Sequence, residues 1–251
     1  MRKVVSREQE EKALEAFFEC GERIIRSCLC GETSGLILAE EERFNLPIET
    51  RMCDSCKTIR SSSSPLDNKR FYKEFYSVLH PGLGTEKERA AREKRQAEYL
   101  LAEGYIEKGK KVIEIGGNCC RYLETVSYSS IDISGREENS NILVAGNDYV
   151  ISLHVLEHIH NPIEFLERYK KLLSRNGKMI AVVPDINQIQ YHRYVKTHGF
   201  KAWFHWAHCW NWSAFNVSLP FEKAGMRVDR ISLAAPGTLA TVGSLIVEAS
   251  K

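Results

Sequence analysis

Val112-Ile-Glu-Ile-Gly-Gly-Asn-Cys-Cys120 decides the fold. Three β-branched residues, Val112, Ile113 and Ile115, run with Glu114 straight into two glycines, and Arg121 to Val126 then reads as a helix. A strand that turns sharply on glycine into a helix lets a ligand approach the backbone near a helix N-terminus. Working outward, Ser130 to Ile133 reads as a second strand and ends beside Asp132, 18 residues after Glu114. An acid at that place can accept hydrogen bonds from both ribose hydroxyls. Tyr149 to Val155 and Met179 to Val183 are further apolar strands. Asn161-Pro162 opens a helix, with Asn as cap and Pro in its first turn. Phe165, Leu166, Tyr169, Leu172 and Leu173 form its apolar stripe, and Asn176-Gly177 is expected to end it. Arg227 to Ser232 and Ser244 to Ala249 read as a closing antiparallel pair. Apolar strands separated by helices imply a mostly parallel sheet covered on both faces.

Upstream, the pattern is different. Ser6 to Arg26 reads as a first helix, opened by Ser6 and Gln9 as a capping box. Cys28-Leu-Cys30-Gly31 and Cys53-Asp-Ser-Cys56 follow, with 22 residues between the pairs. Four thiolates can close a tetrahedral zinc site, and a small module of this size needs such a staple. Ser61 to Pro65 forms a connection, and Thr85 to Gly104 a helix leading into the larger part. The expected organisation is a helix over 1–26, a zinc-ribbon-like module over 27–64 and the α/β domain over 65–251.

The 251 residues carry 43% hydrophobic and 27% charged side chains, an ordinary globular balance. A net charge of +2 supplies no field to gather nucleic acid or an anionic membrane. No apolar run approaches the roughly 20 residues of a membrane span, and Met1 to Lys12 lacks a secretory apolar core. The expected location is therefore cytoplasmic, a reducing compartment in which eight cysteines point to metal or catalysis rather than disulfides.

The chain resembles the class I S-adenosylmethionine-dependent methyltransferases over essentially its whole length. The glycine turn looks like their first motif. His154-Val-Leu-Glu157-His158-Ile-His-Asn-Pro162 looks like their "LEH…dP" segment, and Leu172 to Gly177 with Met179 to Pro184 like their "LLkpgG…vP" strand. His208 to Ser213 and Lys223-Ala-Gly225 resemble their late elements. Glu42 to Pro47, Cys53-x-x-Cys56, Phe71-Tyr72 and Phe75-Tyr76 are similar to a zinc-ribbon branch active in sugar and glycan pathways. The resemblance implies a Rossmann-like fold, S-adenosylmethionine as cofactor, a structural zinc, and a small molecule or sugar precursor as substrate; a homodimer is compatible. It also implies that Glu114, Gly116, Gly117, Asn118, Asp132 and His154 contact the cofactor. Cys28, Cys30, Cys53 and Cys56 would hold zinc.

Two departures set this chain apart. Cys119-Cys120 stands where the branch has Asp-Gly. Only 14 residues separate Ile133 from Asp148, whereas one parallel crossover takes a dozen or more and the family that the chain resembles normally fits two there. The sheet is therefore expected to be truncated after its second strand, with a shallower adenine pocket. A binding or scaffold protein that no longer catalyses is the rival reading.

Two further groups could carry chemistry. His208, with His158, is a candidate general base, since imidazole titrates near neutrality; the alternative is a hydrogen-bonded structural histidine. His154, Glu157 and His158 could hold a divalent metal, or Glu157 and His158 could simply brace the strand end. Trp203 to Trp212 is an aromatic cluster suited to a pocket wall, a core or a dimer contact.

Overall fold

The structure, a computed structural model, describes residues 8, 11, 15, 26–41, 47–62, 86–117, 119–123, 127–131, 145–189, 204, 207–240 and 243–251. Its main sheet has six strands: β4 (Lys111–Ile115), β5 (Ser127–Ile131), β6 (Asn147–Leu153), β7 (Leu173–Pro184), β9 (Arg227–Ala234) and β10 (Ser244–Ser250). The order is β5-β4-β6-β7-β10-β9. β5, β4, β6 and β7 pair in parallel, and β10 runs antiparallel to both β7 and β9. This is the expected Rossmann-like α/β sheet with its C-terminal antiparallel pair. Among the described residues β5 is the outer strand on its side, and residues 132–144, where the truncation is expected, lie outside them.

The pleat distributes the central strand between two cores. Ile113 and Ile115 join the cluster under α2 (Pro162–Lys170) and α3 (Leu219–Lys223). Val112 joins the opposite cluster with Ala97 and Leu100 of α1 (Glu86–Ala102). α1 begins with Glu86 and Glu88, which suit the positive helix N-terminus. It ends at Gly104, whose φ of +72° lets Tyr105 N–H turn back to the Leu100 carbonyl.

α2 begins as the sequence indicates. The Asn161 side chain accepts from Glu164 N–H, Pro162 takes the first turn, and Phe165, Leu166 and Tyr169 are buried. Its end differs from expectation. The helix stops at Lys170, and Leu173 to Gly177 already belong to β7. Leu172 donates to the Tyr169 carbonyl, and its own carbonyl accepts from Gly146 and Asn147 N–H and from the Asn147 side chain. An apolar pair at this boundary serves either period, and the strand partner Asn147 takes Leu173. A Cβ on Gly177 would lie 2.5 Å from the Asn147 carbonyl oxygen. Gly177→Ala should therefore cost about 1–3 kcal/mol through overpacking, read as a lowered denaturant midpoint at unchanged slope; an unchanged midpoint would refute this contact.

Three more boundaries move. β5 spans 127–131 instead of 130–133, and β6 stops at Leu153, so His154 and Val155 lie beyond it. Cys119–Tyr122 forms a single 3-10 turn where a helix to Val126 was expected. The first helix is described only at residues 8, 11 and 15, each helical, and Arg26 is outside it.

The cysteine segment folds on a second sheet. β1 (Leu36–Ala39), β2 (Thr50–Met52) and β3 (Ile59–Ser61) form an antiparallel meander. A fourth strand completes it, β8 (Trp210–Asn211), contributed from far along the chain. Ser61 N–H donates to the Cys209 carbonyl, and Asn216 Nδ2 donates to the Lys57 carbonyl.

Candidate functional site

The carboxyl ends of β4 and β6 meet at the glycine turn. Gly116 is exposed and has φ +74°, a conformation that glycine adopts without steric cost. Glu114 is fully buried beneath it. Its Oε1 accepts from Cys119 N–H at 3.1 Å and its Oε2 from Cys120 N–H at 2.9 Å. A Cβ at Gly117 would fall 2.2 Å from Glu114 Oε1. Glu114 thus ties the turn to the start of the 3-10 helix, and the bare backbone at 116–117 leaves room over it. Burial pushes the Glu114 carboxyl above its usual range, against the pull of the two N–H donors. Cys119 and Cys120 are buried, with their sulfurs 3.6 Å apart. Their mutual hydrogen bond, then burial, raises the Cys119 thiol well above its usual range. Asn118 and Asp132 lie outside the described residues.

His154 follows β6 immediately. It holds φ +55°, uncommon for a residue with a side chain, and its N–H donates to the Val182 carbonyl. Glu157 and His158 lie on a 3-10 turn over Leu156–His158. The bracing expected of this pair takes a different form. His158 Nδ1 is 2.8 Å from the Ala207 carbonyl oxygen, and the Glu157 backbone carbonyl accepts from Cys209 N–H. The Glu157 carboxylate sits 3.6 Å from His154 Nδ1 and 3.8 Å from His158 Nε2. The His208 ring meets the His158 ring edge-on, centroids 4.9 Å apart. The sequence-predicted histidines 154, 158 and 208 are thus gathered around Glu157.

The four candidate zinc ligands also come together. Cys28 and Cys56 sulfurs are 3.2 Å apart, Cys30 and Cys53 sulfurs 3.5 Å, and all four lie within 4.8 Å. A tetrahedral zinc with ~2.3 Å bonds needs sulfurs about 3.8 Å apart, so the donors fit it with a small expansion. The two turns match. Gly31 N–H returns to the Cys28 carbonyl and Lys57 N–H to the Cys53 carbonyl, with φ +94° and +58°. Burial opposes the Cys56 thiolate, but hydrogen bonds from Thr58 and from the neighbouring thiols bring it down to about 6. Sequence reasoning missed two arginines here. Arg60 is buried, its Nε donating to the Arg26 carbonyl and its Nη2 to the Thr33 and Ser34 carbonyls. Arg26, also buried, donates to His160 Nδ1. Both guanidinium groups thus serve to tie the backbone of the cysteine segment together, and an arginine close in sequence to each cysteine pair is the signal that was available.

Of the aromatic cluster, Phe204, Trp210 and Trp212 are buried, and the two tryptophans stack at 5.8 Å. For these three residues a core role is what the packing supports. Trp203, His205 and Trp206 lie outside the described residues. Among the described residues no helix is long and apolar enough to cross a membrane.

The sequence model of a methyltransferase domain family matches residues 86–231. The chain belongs to that family. Solved structures carry the same fold at low identity. The 1,6-didemethyltoxoflavin-N1-methyltransferase of Burkholderia thailandensis aligns at 14% identity and TM-score 0.50, covering 85% of this chain and 99% of that one. The mitomycin 7-O-methyltransferase MmcR aligns at 13% identity and TM-score 0.52, over 75% of this chain and 61% of that one. No curated protein sequence matches the chain.

Proposed function

We propose that the protein transfers a methyl group from S-adenosylmethionine to a small acceptor, with a sugar or glycan precursor as the favoured class. The observation that carries the reading is the glycine turn at the end of β4, held open from below by Glu114 within a methyltransferase-family fold. S-adenosylmethionine supplies an electrophilic methyl on a sulfonium. The chain's own task is to align the acceptor with that methyl and exclude water. Gly116 and Gly117 offer backbone to the cofactor, Asn118 and His154 flank it, and Asp132 accepts from the ribose hydroxyls. Glu114 contributes by fixing the turn. His158 and His208 handle the acceptor proton. The toxoflavin enzyme's structure holds S-adenosylhomocysteine, which supports testing the same product here.

Zinc bound by Cys28, Cys30, Cys53 and Cys56 is the second part of the proposal. It would stabilise the 27–64 module, between a helix over 1–26 and the methyltransferase domain over 65–251. A cytoplasmic setting suits these thiols.

Titration calorimetry with S-adenosylhomocysteine tests the first part. The parent is expected to bind, and Asp132→Ala to lose roughly 1.5–3 kcal/mol, the worth of hydrogen bonds to a charged group. A parent that does not bind overturns the methyltransferase proposal. Equal affinity in the variant overturns only the ribose assignment.

A further inference from the structure

Arg60 is a buried cation whose hydrogen bonds all go to neutral groups. It is 3% exposed. Its Nε donates to the Arg26 carbonyl at 2.7 Å, and its Nη2 to the Thr33 and Ser34 carbonyls at 2.7 and 3.0 Å. Its Nη1 is buried with no acceptor. A guanidinium carries five N–H donors, and burying one without a counter-charge is costly.

Arg60 lines a small cavity where the start of β2 meets the end of β3, together with Arg26, Glu49, Arg51, Ser61 and Ser62. Its volume is about 10 Å³, room for a single guest the size of a water molecule. The lining offers a second unused donor. Ser62 Oγ accepts from Glu49 N–H at 3.0 Å, so its own hydroxyl proton is left to point elsewhere. The one carboxylate in the lining is already committed, because Arg51 Nε and Nη2 donate to the two oxygens of Glu49. The hydrogen bond from Arg51 holds the Glu49 carboxyl below its usual range against burial, and the Arg60 charge adds a smaller pull. The field of Arg60 thus reaches Glu49, although no bond joins them. Arg26 donates to the Ser61 carbonyl and to His160 Nδ1.

We infer that this cavity binds one chloride-like anion between Arg60 Nη1 and the Ser62 hydroxyl. A water molecule would satisfy both donors and leave the charge of Arg60 unbalanced, whereas a monatomic anion does both. Phosphate, sulfate and carboxylate ligands are excluded by size, since the cavity admits a single guest. Position gives the ion a role. Ser62 N–H donates to the Glu49 carbonyl, and Ser61 N–H to the Cys209 carbonyl beside β8. An anion held here therefore clamps the cysteine-bearing sheet at its seam with the methyltransferase domain. Neither the glycine turn nor the four cysteines contribute a residue to this site, so it stands apart from both parts of the proposed function.

Thermal unfolding of the zinc-saturated full chain tests this, with sodium chloride replacing sodium gluconate at constant ionic strength. Gluconate is too large for the cavity. The melting temperature is expected to rise with the logarithm of chloride concentration, as linkage to one site requires. Ser62→Ala should shift that response to chloride concentrations about 10–100-fold higher, the effect of losing one hydrogen bond to a charged group. Crystals grown in sodium bromide should show an anomalous peak within hydrogen-bond distance of Arg60 Nη1. A melting temperature indifferent to the exchange overturns the inference, a bromide peak then marking binding at crystal concentration only. No peak at Arg60 overturns it too, with water as the guest, and so does an equal chloride response in Ser62→Ala, which marks an adventitious ion only. Should Ser62→Ala fail to fold, the chloride response and the bromide peak of the parent decide together.

Discussion

Cys53→Ser, Cys56→Ser is expected to release the cysteine-bound zinc and to melt the whole β1-β2-β3-β8 sheet. The strands of this sheet are two to four residues long. So small a unit buries too little apolar surface to offset its chain entropy. Structural zinc contributes about 10–16 kcal/mol in small zinc-finger peptides, far more than the hydrogen bonds at its rim. The melting should travel. Ser61 and Lys57 bond to Cys209 and Asn216, and β3 pairs with β8. Amide exchange should therefore accelerate not only over 28–61 but also at 210–211, which belongs to the methyltransferase domain. Retention of metal by the double variant, or unchanged protection at 210–211, would sink the prediction. Acid should act like the mutation. Protons compete with zinc for the four thiolates, so zinc affinity is expected to fall as the pH is lowered.

The second large effect is at Glu114. Glu114→Ala strands the N–H groups of Cys119 and Cys120, both on buried residues. Each buried donor left unpaired costs about 1–3 kcal/mol, so roughly 2–6 kcal/mol is expected in all. Binding of S-adenosylhomocysteine should fall with it, because the turn at 116–117 loses its brace. Glu114→Gln is expected to lose less, keeping one acceptor oxygen. It should also alter the pH profile. Burial raises the folded-state pKa of Glu114, so in that window the folded chain binds more protons than the unfolded one. This carboxyl's contribution to stability therefore declines as pH rises from the ordinary carboxylate range through the raised value. The Gln variant lacks that decline. A melting temperature for Glu114→Ala within 1 °C of the parent, where ~2–4 °C per kcal/mol is typical of chains this size, would refute the bracing role.

Local chemistry made much of the fold legible. The apolar runs of β4, β6, β7 and β10 each announce a strand buried on both faces, and Asn161-Pro162 marks the start of α2. The cysteine pairs announce the site in which their sulfurs meet. Harder to read was the end of α2, because Leu172 and Leu173 satisfy the helical stripe as well as the strand. β8 was illegible. Trp210-Asn211 carries no period, and its partner Ile59–Arg60 lies about 150 positions earlier in the chain. The acid in the glycine motif was legible as important but not in its role. Only the geometry reveals that both of its oxygens are taken by the loop's own N–H groups, leaving it to shape the turn. Likewise the His154 to His158 stretch told which residues gather, but not that the His208 ring packs against His158 or that one oxygen of the Glu157 carboxylate is buried without a donor.

The pairing of β3 with β8 has a consequence for the order of events on the ribosome. The cysteine-bearing strands emerge early, yet their fourth strand is made about 150 residues later. At ~5–20 residues per second that is roughly 7–30 s. Throughout that interval the outer edge of β3 is an open row of unpaired N–H and C=O groups, the kind of edge that recruits stray strands. A nascent chain that has already captured zinc still carries this sticky margin until Trp210 and Asn211 arrive. Premature termination before residue 210 would leave it permanently exposed, so such fragments should aggregate or bind holding chaperones, whatever their metal content.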